Sequence, residues 1–249
     1  MSLAFIMAVC VTMLATSFLS GIFGMAGGII LIGVLLVLLP VQAAMVLHGI
    51  TQLASNVWRA MMWRRNVRWD IAGVYSCGSL IALGAWSLTG YVPDKAVSFL
   101  LLGVTPFMMR VVPRDLQPDP ESRIQCIMYG LGCTGLILLT GVAGPMLDTF
   151  FLGGSLDRRT IMATKSICQV FGHTVKLIYF AGVITEPGTV DPVVAGLAIA
   201  MSALGTTLAK PVVEGLSDKV YRIWANRIVT GLSGYYAVYG LYLVAIPLL

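Results

Sequence analysis

SGIFGMAGGIILIGVLLVLLP, residues Ser20–Pro40, decides how this chain folds. Gly21, Gly24, Gly27 and Gly28 interrupt an otherwise apolar sequence, and the eleven-residue run Ile29–Leu39 that follows stops at Pro40. At 1.5 Å per residue such a run reaches about 16 Å, roughly half of the ~30 Å hydrocarbon core of a bilayer. It cannot span alone. The glycines are therefore read as the tip of a helix–break–helix hairpin whose first arm is Met1–Ser20. Broken backbone at membrane depth is tolerated only where it is buried in protein or lines a cavity. Amides freed at the start of a half-helix carry partial positive charge and suit an anion. The same glycines also fit a plainer reading, close approach of neighbouring helices.

Composition makes the bilayer the right yardstick. Of 249 residues, 58% are hydrophobic and only 11% charged, and the mean hydropathy is +0.90. A water-soluble domain needs roughly a quarter of its residues charged. The formal net charge of +5 lies in short basic tracts between apolar segments, which is the pattern of membrane orientation, not of nucleic-acid binding. Cys10, Cys77, Cys126, Cys133 and Cys168 are scattered through apolar stretches with no CxxC pair. No metal site and no cofactor are predicted. The first residues lack the positive region of a signal peptide, so they read as a retained membrane segment.

Outward from Ser20–Pro40, apolar segments follow at Val41–Trp63, Ile71–Val92 and Ala96–Val112. A polar linker at residues 113–122 then divides the chain into a first membrane repeat, 1–112, and a second, 123–249. After it come Ile124–Thr140, a break at Gly141–Pro145 and a short run Met146–Leu156. Arg158–Phe180, a loop at Gly182–Asp191, Pro192–Ala209, an amphipathic stretch Pro211–Asn226 and Ile228–Leu249 complete the pattern. A shift of 117 positions lays Gly24–Trp63 on Gly141–Phe180 without a gap, with eight identities that include Gly24/Gly141, Gly27/Gly144 and Gln52/Gln169. Common origin is the better account of the match.

The charges give the orientation. Arg59, Arg64, Arg65 and Arg68 end one helix, while Arg158 and Arg159 begin its copy. Basic ends face the cytoplasm, so the two equivalent helices run in opposite directions. Of the sixteen Lys and Arg, this scheme leaves Lys95 alone outside and buries Lys165 and Lys176 within helices. The predicted fold is thus an all-α polytopic membrane protein of two inverted-topology repeats, each with a glycine-broken hairpin. Both chain termini are predicted outside.

Polar residues fall on one face. His48, Gln52, Ser55, Asn56 and Arg59 recur at helical spacing, and Lys165, Gln169, His173 and Lys176 occupy the same face of the copy. Such groups are costly in lipid and normally face a bundle interior or a water-filled path. The face is rich in donors and holds no acid, which suits an anionic guest. For Arg59 and Lys176 the plain alternative is snorkelling to headgroups; for Gln52 and Gln169 it is bonding between helices. His48 and His173, the only histidines, are candidate proton exchangers. Asp148 is placed to pair with Lys165 or to relay protons.

On these residues the chain resembles the sulfite exporter TauE/SafE family. The resemblance rests on SGIFGMAGG (Ser20–Gly28) with LHGITQLASNVWRAMMWRR (Leu47–Arg65), and on TGVAGP (Thr140–Pro145) with MATKSICQVFGHTVKLIYF (Met162–Phe180). It implies movement of sulfite, sulfonates or related small organic anions across the bacterial inner membrane, coupled to a proton or cation. By position, Gly24, Gly27, Gly28, Gly141, Gly144, Gln52, Asn56, Gln169 and His173 would line the site. Ala26 and Pro145 depart from the glycine pattern, and Pro145 has no amide hydrogen to offer. Lipid and a small anion are the partners predicted; the oligomeric state is not legible. A passive anion channel fits the repeats too. A remote alternative is an intramembrane hydrolase, since Gly231-Leu-Ser-Gly234 matches GxSG, although both histidines precede Ser233.

Overall fold

In the computed structural model, residues 3–111, 118–152, 156–184 and 189–246 are described. Residues 113–117 of the 113–122 linker, residues 153–155, Glu186 and the extreme termini lie outside these residues. The described residues form helices and connecting turns, with no strand among them. The first half contributes α1 (Leu3–Phe23), α2 (Ala26–Leu38), α3 (Val41–Met62), α4 (Trp69–Thr89) and α5 (Lys95–Val111). The second contributes α6 (Arg123–Thr140), α7 (Gly144–Leu152), α8 (Arg158–Ile178), α9 (Pro192–Gly215) and α10 (Asp218–Ala245).

Both glycine breaks are present. Gly24 and Gly141, matched by the 117-residue shift, adopt left-handed φ of 69° and 88°, a conformation open to glycine at little cost. Each ends a long helix, and a short one starts two or three residues later. α1, α4, α6, α9 and α10 are long and apolar enough to cross a bilayer, whereas α2 is a shorter apolar helix. Large apolar side chains such as Val11, Leu80, Leu88, Val238 and Leu241 are exposed on the outer surface, where lipid is their solvent. The protein is a multi-pass helical membrane protein.

Helix packing repeats between the halves. α1 packs on α9, and α6, the counterpart of α1, packs on α4. α5 pairs with α10, and α3 with its own counterpart α8. Glycines allow these close approaches: a Cβ on Gly78 or Gly130 would strike the backbone of the partner helix in the α4–α6 pair, and Gly103 and Gly240 do the same for α5–α10. α3 and α8 lie antiparallel. His48 near the start of α3 meets Lys176 near the end of α8, while Arg159 at the start of α8 stacks 5.7 Å over Trp63 beyond the end of α3.

Two sequence boundaries are corrected. Pro211 does not end the preceding helix: α9 runs through it to Gly215, and the amphipathic stretch is split between α9 and α10. A proline loses only one intrahelical bond, and the Thr207 hydroxyl beside that turn is held by Ala203 and Trp58. At the other end, α8 continues as a π-helical turn, Tyr179–Val183, so the loop begins later than Gly182. Caps follow ordinary chemistry, with Asp157, Asp191 and Ser217 accepting amides at the starts of α8, α9 and α10. Between α3 and α4, Arg68 pairs with its neighbour Asp70 at 2.7 Å and reaches Glu121 of the linker at 3.0 Å. Those hydrogen bonds, Asp70 first, raise its guanidinium above the usual range. From α10, Tyr236 lays its ring over Gly33 of α2 and donates its hydroxyl to the Ile29 carbonyl at 3.1 Å.

Candidate functional site

Each helix that stops at a break leaves carbonyls without partners. In each half, a cation from the following long helix covers one of them. Arg59 Nη2 donates to the Ser20 carbonyl in the last turn of α1 at 2.9 Å. Lys176 Nζ donates to the Gly141 carbonyl at the end of α6 at 3.1 Å. Helix C-termini carry partial negative charge, so the arrangement is electrostatically favourable. Both side chains are buried, at 7% and 0% exposure, so neither snorkels to headgroups.

The inward face of α3 meets that of α8 just beyond the breaks. Lys176 Nζ also reaches His48 Nδ1 at 2.7 Å, and His48 Nε2 lies 3.0 Å from the Gly28 carbonyl. A carbonyl only accepts, so Nε2 carries the ring proton and Nδ1 offers its lone pair to Lys176. One chain of hydrogen bonds therefore links the first turn of α2, α3, α8 and the second break. His173 packs edge-on against His48 with ring centres 5.7 Å apart. Gln52, 6% exposed, lies against Gly28. Gln52 Nε2 and His173 Nδ1 are buried with no hydrogen-bond partner, as is Ser20 Oγ at the end of α1. Buried polar atoms are seldom left so, and three of them lie around one pair of helix breaks.

The two breaks touch. A Cβ on Gly144 would overlap the Met25 side chain, and one on Gly141 would press on Ile32 and Met45. Beside them opens a cavity of about 600 Å³ whose wall includes Gly24 and Met25 from one break and Pro145 and Asp148 from the other. Arg59, Arg110 and Lys165 also line it, along with Ser20. Among the described lining residues the one acid, Asp148, is ion-paired with Lys165.

The residues singled out in the sequence divide into groups. His48, Gln52, His173 and Lys176 converge with Gly28 and Gly141 in the buried network. Gly24, Arg59, Lys165 and Asp148 border the cavity. Gly27 faces back onto α1, where a Cβ would overlap the Thr16 carbonyl. Asn56 is occupied within its own helix, donating to the Gln52 carbonyl and accepting from Arg59. Ser55 bonds Thr206 on α9 at 2.8 Å, a helix–helix contact away from the network. Gln169 is half-buried. Sequence reasoning read Arg110 only as an orientation charge and missed Ser20 and Tyr236 altogether. Nothing in the spacing along α5 or α10 marks those helices as contributors; only their packing does.

Long apolar helices around a buried polar centre and a basic cavity define the class, a multi-pass membrane protein built to handle a polar solute. The sulfite exporter TauE/SafE family model matches residues 9–236, and the chain belongs to that family. Membership implies a membrane exporter of sulfite or related anions. No curated protein and no solved structure matches the chain.

Proposed function

We propose that this protein is a secondary transporter that moves a small anion (sulfite, an organosulfonate or a related organic anion) by alternating access across the bacterial inner membrane. The halves 1–112 and 123–249, joined by the 113–122 linker, act as inverted repeats, a reading supported by the antiparallel α3 and α8. Both termini then face outward. The observation that carries the proposal is a cavity walled by both breaks and by three cationic side chains, in which the one acid among the described lining residues is already paired. Beyond it, Gln52, His173, Gly28 and the breaks at Gly24, Gly141 and Gly144 form the substrate site. Gln169 completes it from α8, while Gly27, packed on α1, and Asn56, bonded within α3, support it from behind.

Paired breaks of this kind favour a carrier over a passive channel. Against a hydrolase stands Ser233, which lies inside the uninterrupted helix α10 with its Oγ bonded to no base. Proteoliposomes with labelled sulfite, sulfoacetate, taurine or thiosulfate test the proposal, with and without an imposed pH gradient. Gradient-driven uphill movement of an anion is the expected result. Downhill flux alone, at rates beyond a carrier, would identify a channel.

A further inference from the structure

Lys176 poses a charge problem. Its side chain is wholly buried, and its two partners, His48 Nδ1 and the Gly141 carbonyl, are both neutral acceptors. Among the described residues no carboxylate lies within ion-pair distance of it; Asp148 on α7 is held by Lys165. The other ionisable groups facing it are His48 on α3 and His173 on α8. From α2 the contact with this network is the Gly28 carbonyl. In the π turn the Tyr179 hydroxyl donates to the Tyr91 carbonyl, and on α4 Tyr75 faces Cys133 and Cys168 instead.

A lone ammonium in a bilayer interior is expensive, and so is a lone anion. Together they compensate each other. The hydrogen count fits. A neutral amine has two N–H groups, which the bonds to His48 and Gly141 use; a third hydrogen, present only in the ammonium, is available to a guest. On the same network wait two unpartnered atoms, Gln52 Nε2 against Gly28 and His173 Nδ1 on the ring packed against His48.

We propose that Lys176 carries the proton of the transport cycle: one proton binds Nζ as one anion enters beside Gln52 and His173, and both leave together. The inference rests on the anion-transport reading above. The balance is R–NH2 plus H⁺ plus A⁻ giving R–NH3⁺·A⁻, with one N–H bond made on entry and the same bond broken on release. A monovalent anion thus crosses without net charge. Linkage is reciprocal, so anion affinity falls about tenfold per pH unit wherever the empty site is unprotonated.

Isothermal titration calorimetry of the full chain in nanodiscs tests this, in buffers of different ionisation enthalpy. The probes are ethanesulfonate and sulfoacetate, which carry no titrating proton between about pH 6 and pH 8, so every proton counted belongs to the protein. One proton taken up per ethanesulfonate is expected. Lys176→Arg, charged at any accessible pH, should bind with no uptake and no pH dependence, and Lys176→Gln should bind at least tenfold more weakly with no uptake. Wild-type binding without proton uptake overturns the proposal, as does uptake that persists in either variant. Binding of neither probe overturns the anion-transport reading itself.

Discussion

Gly27 and Gly28 are neighbours with opposite duties. At Gly27 a Cβ would overlap backbone of α1, so Gly27→Ala should cost about 2–3 kcal/mol of stability. At Gly28 it would stop 3.3 Å from Gln52 Oε1, a flexible side-chain atom that yields. Gly28→Ala should leave the melting temperature nearly unchanged and lower anion uptake several-fold, because the amide it displaces faces the proposed site. Equal losses of stability in the two variants would remove that distinction. Gln52 itself gives a sharper contrast. Its Nε2 bonds nothing, so Gln52→Leu removes a desolvated donor and should hold or raise thermal stability while uptake drops at least tenfold. Unimpaired uptake would take Gln52 out of the mechanism. The spacing of polar residues on α3 was enough to show which side chains point inward. It did not separate Ser55, which ties α3 to α9, from Gln52, whose Nε2 is left unpartnered, because that difference depends on what the neighbouring helix presents.

Among the elements, α8 begins with a cap that responds to pH. The Thr160 hydroxyl and then the first backbone amides hold the exposed Asp157 carboxyl below the usual carboxylate range. A depressed carboxyl contributes stability that is fully present above its unfolded value and is lost as pH falls through the folded one. Amide exchange at Arg159 and Thr160, corrected for intrinsic rate, should therefore rise as pH falls below about 4. Asp157→Asn keeps an accepting oxygen and should show no such step. Helix existence was readable from hydropathy and punctuation, and both broken hairpins follow from short runs that cannot span. Boundaries were less readable where a signal was local and the outcome tertiary. Pro211 reads as a stop, yet α9 passes through it, and the π turn after Ile178 has no sequence mark.

For the whole molecule, the opposed charge clusters after α3 and before α8 predict orientation. A cysteine at Ser122 should be labelled by an impermeant maleimide only from the cytoplasmic side, and one at Asp191 only from the opposite side, in a cysteine-free background. Labelling of both from one side would end the inverted reading. The proposed repeat rests on a 117-residue shift that keeps glycines and polar positions together. The grouping of helices was not legible in the sequence, since partners such as α1 and α9 come from different halves. That grouping matters for motion. Tyr236 bolts α2 to α10, Phe99 of α5 stacks on Tyr236 and Tyr239, and α7 rests on α5. These four helices touch one another and are drawn equally from both halves, although α2 also packs on α1 and α3; the remaining six pack among themselves. In the proposed alternating access, slippage that turns the cavity toward the opposite face would run along the seam between these two groups. Gly24 and Gly141 are two of the places where the chain crosses that seam, and under the proposed alternating access their left-handed backbone is where the broken hairpins would bend.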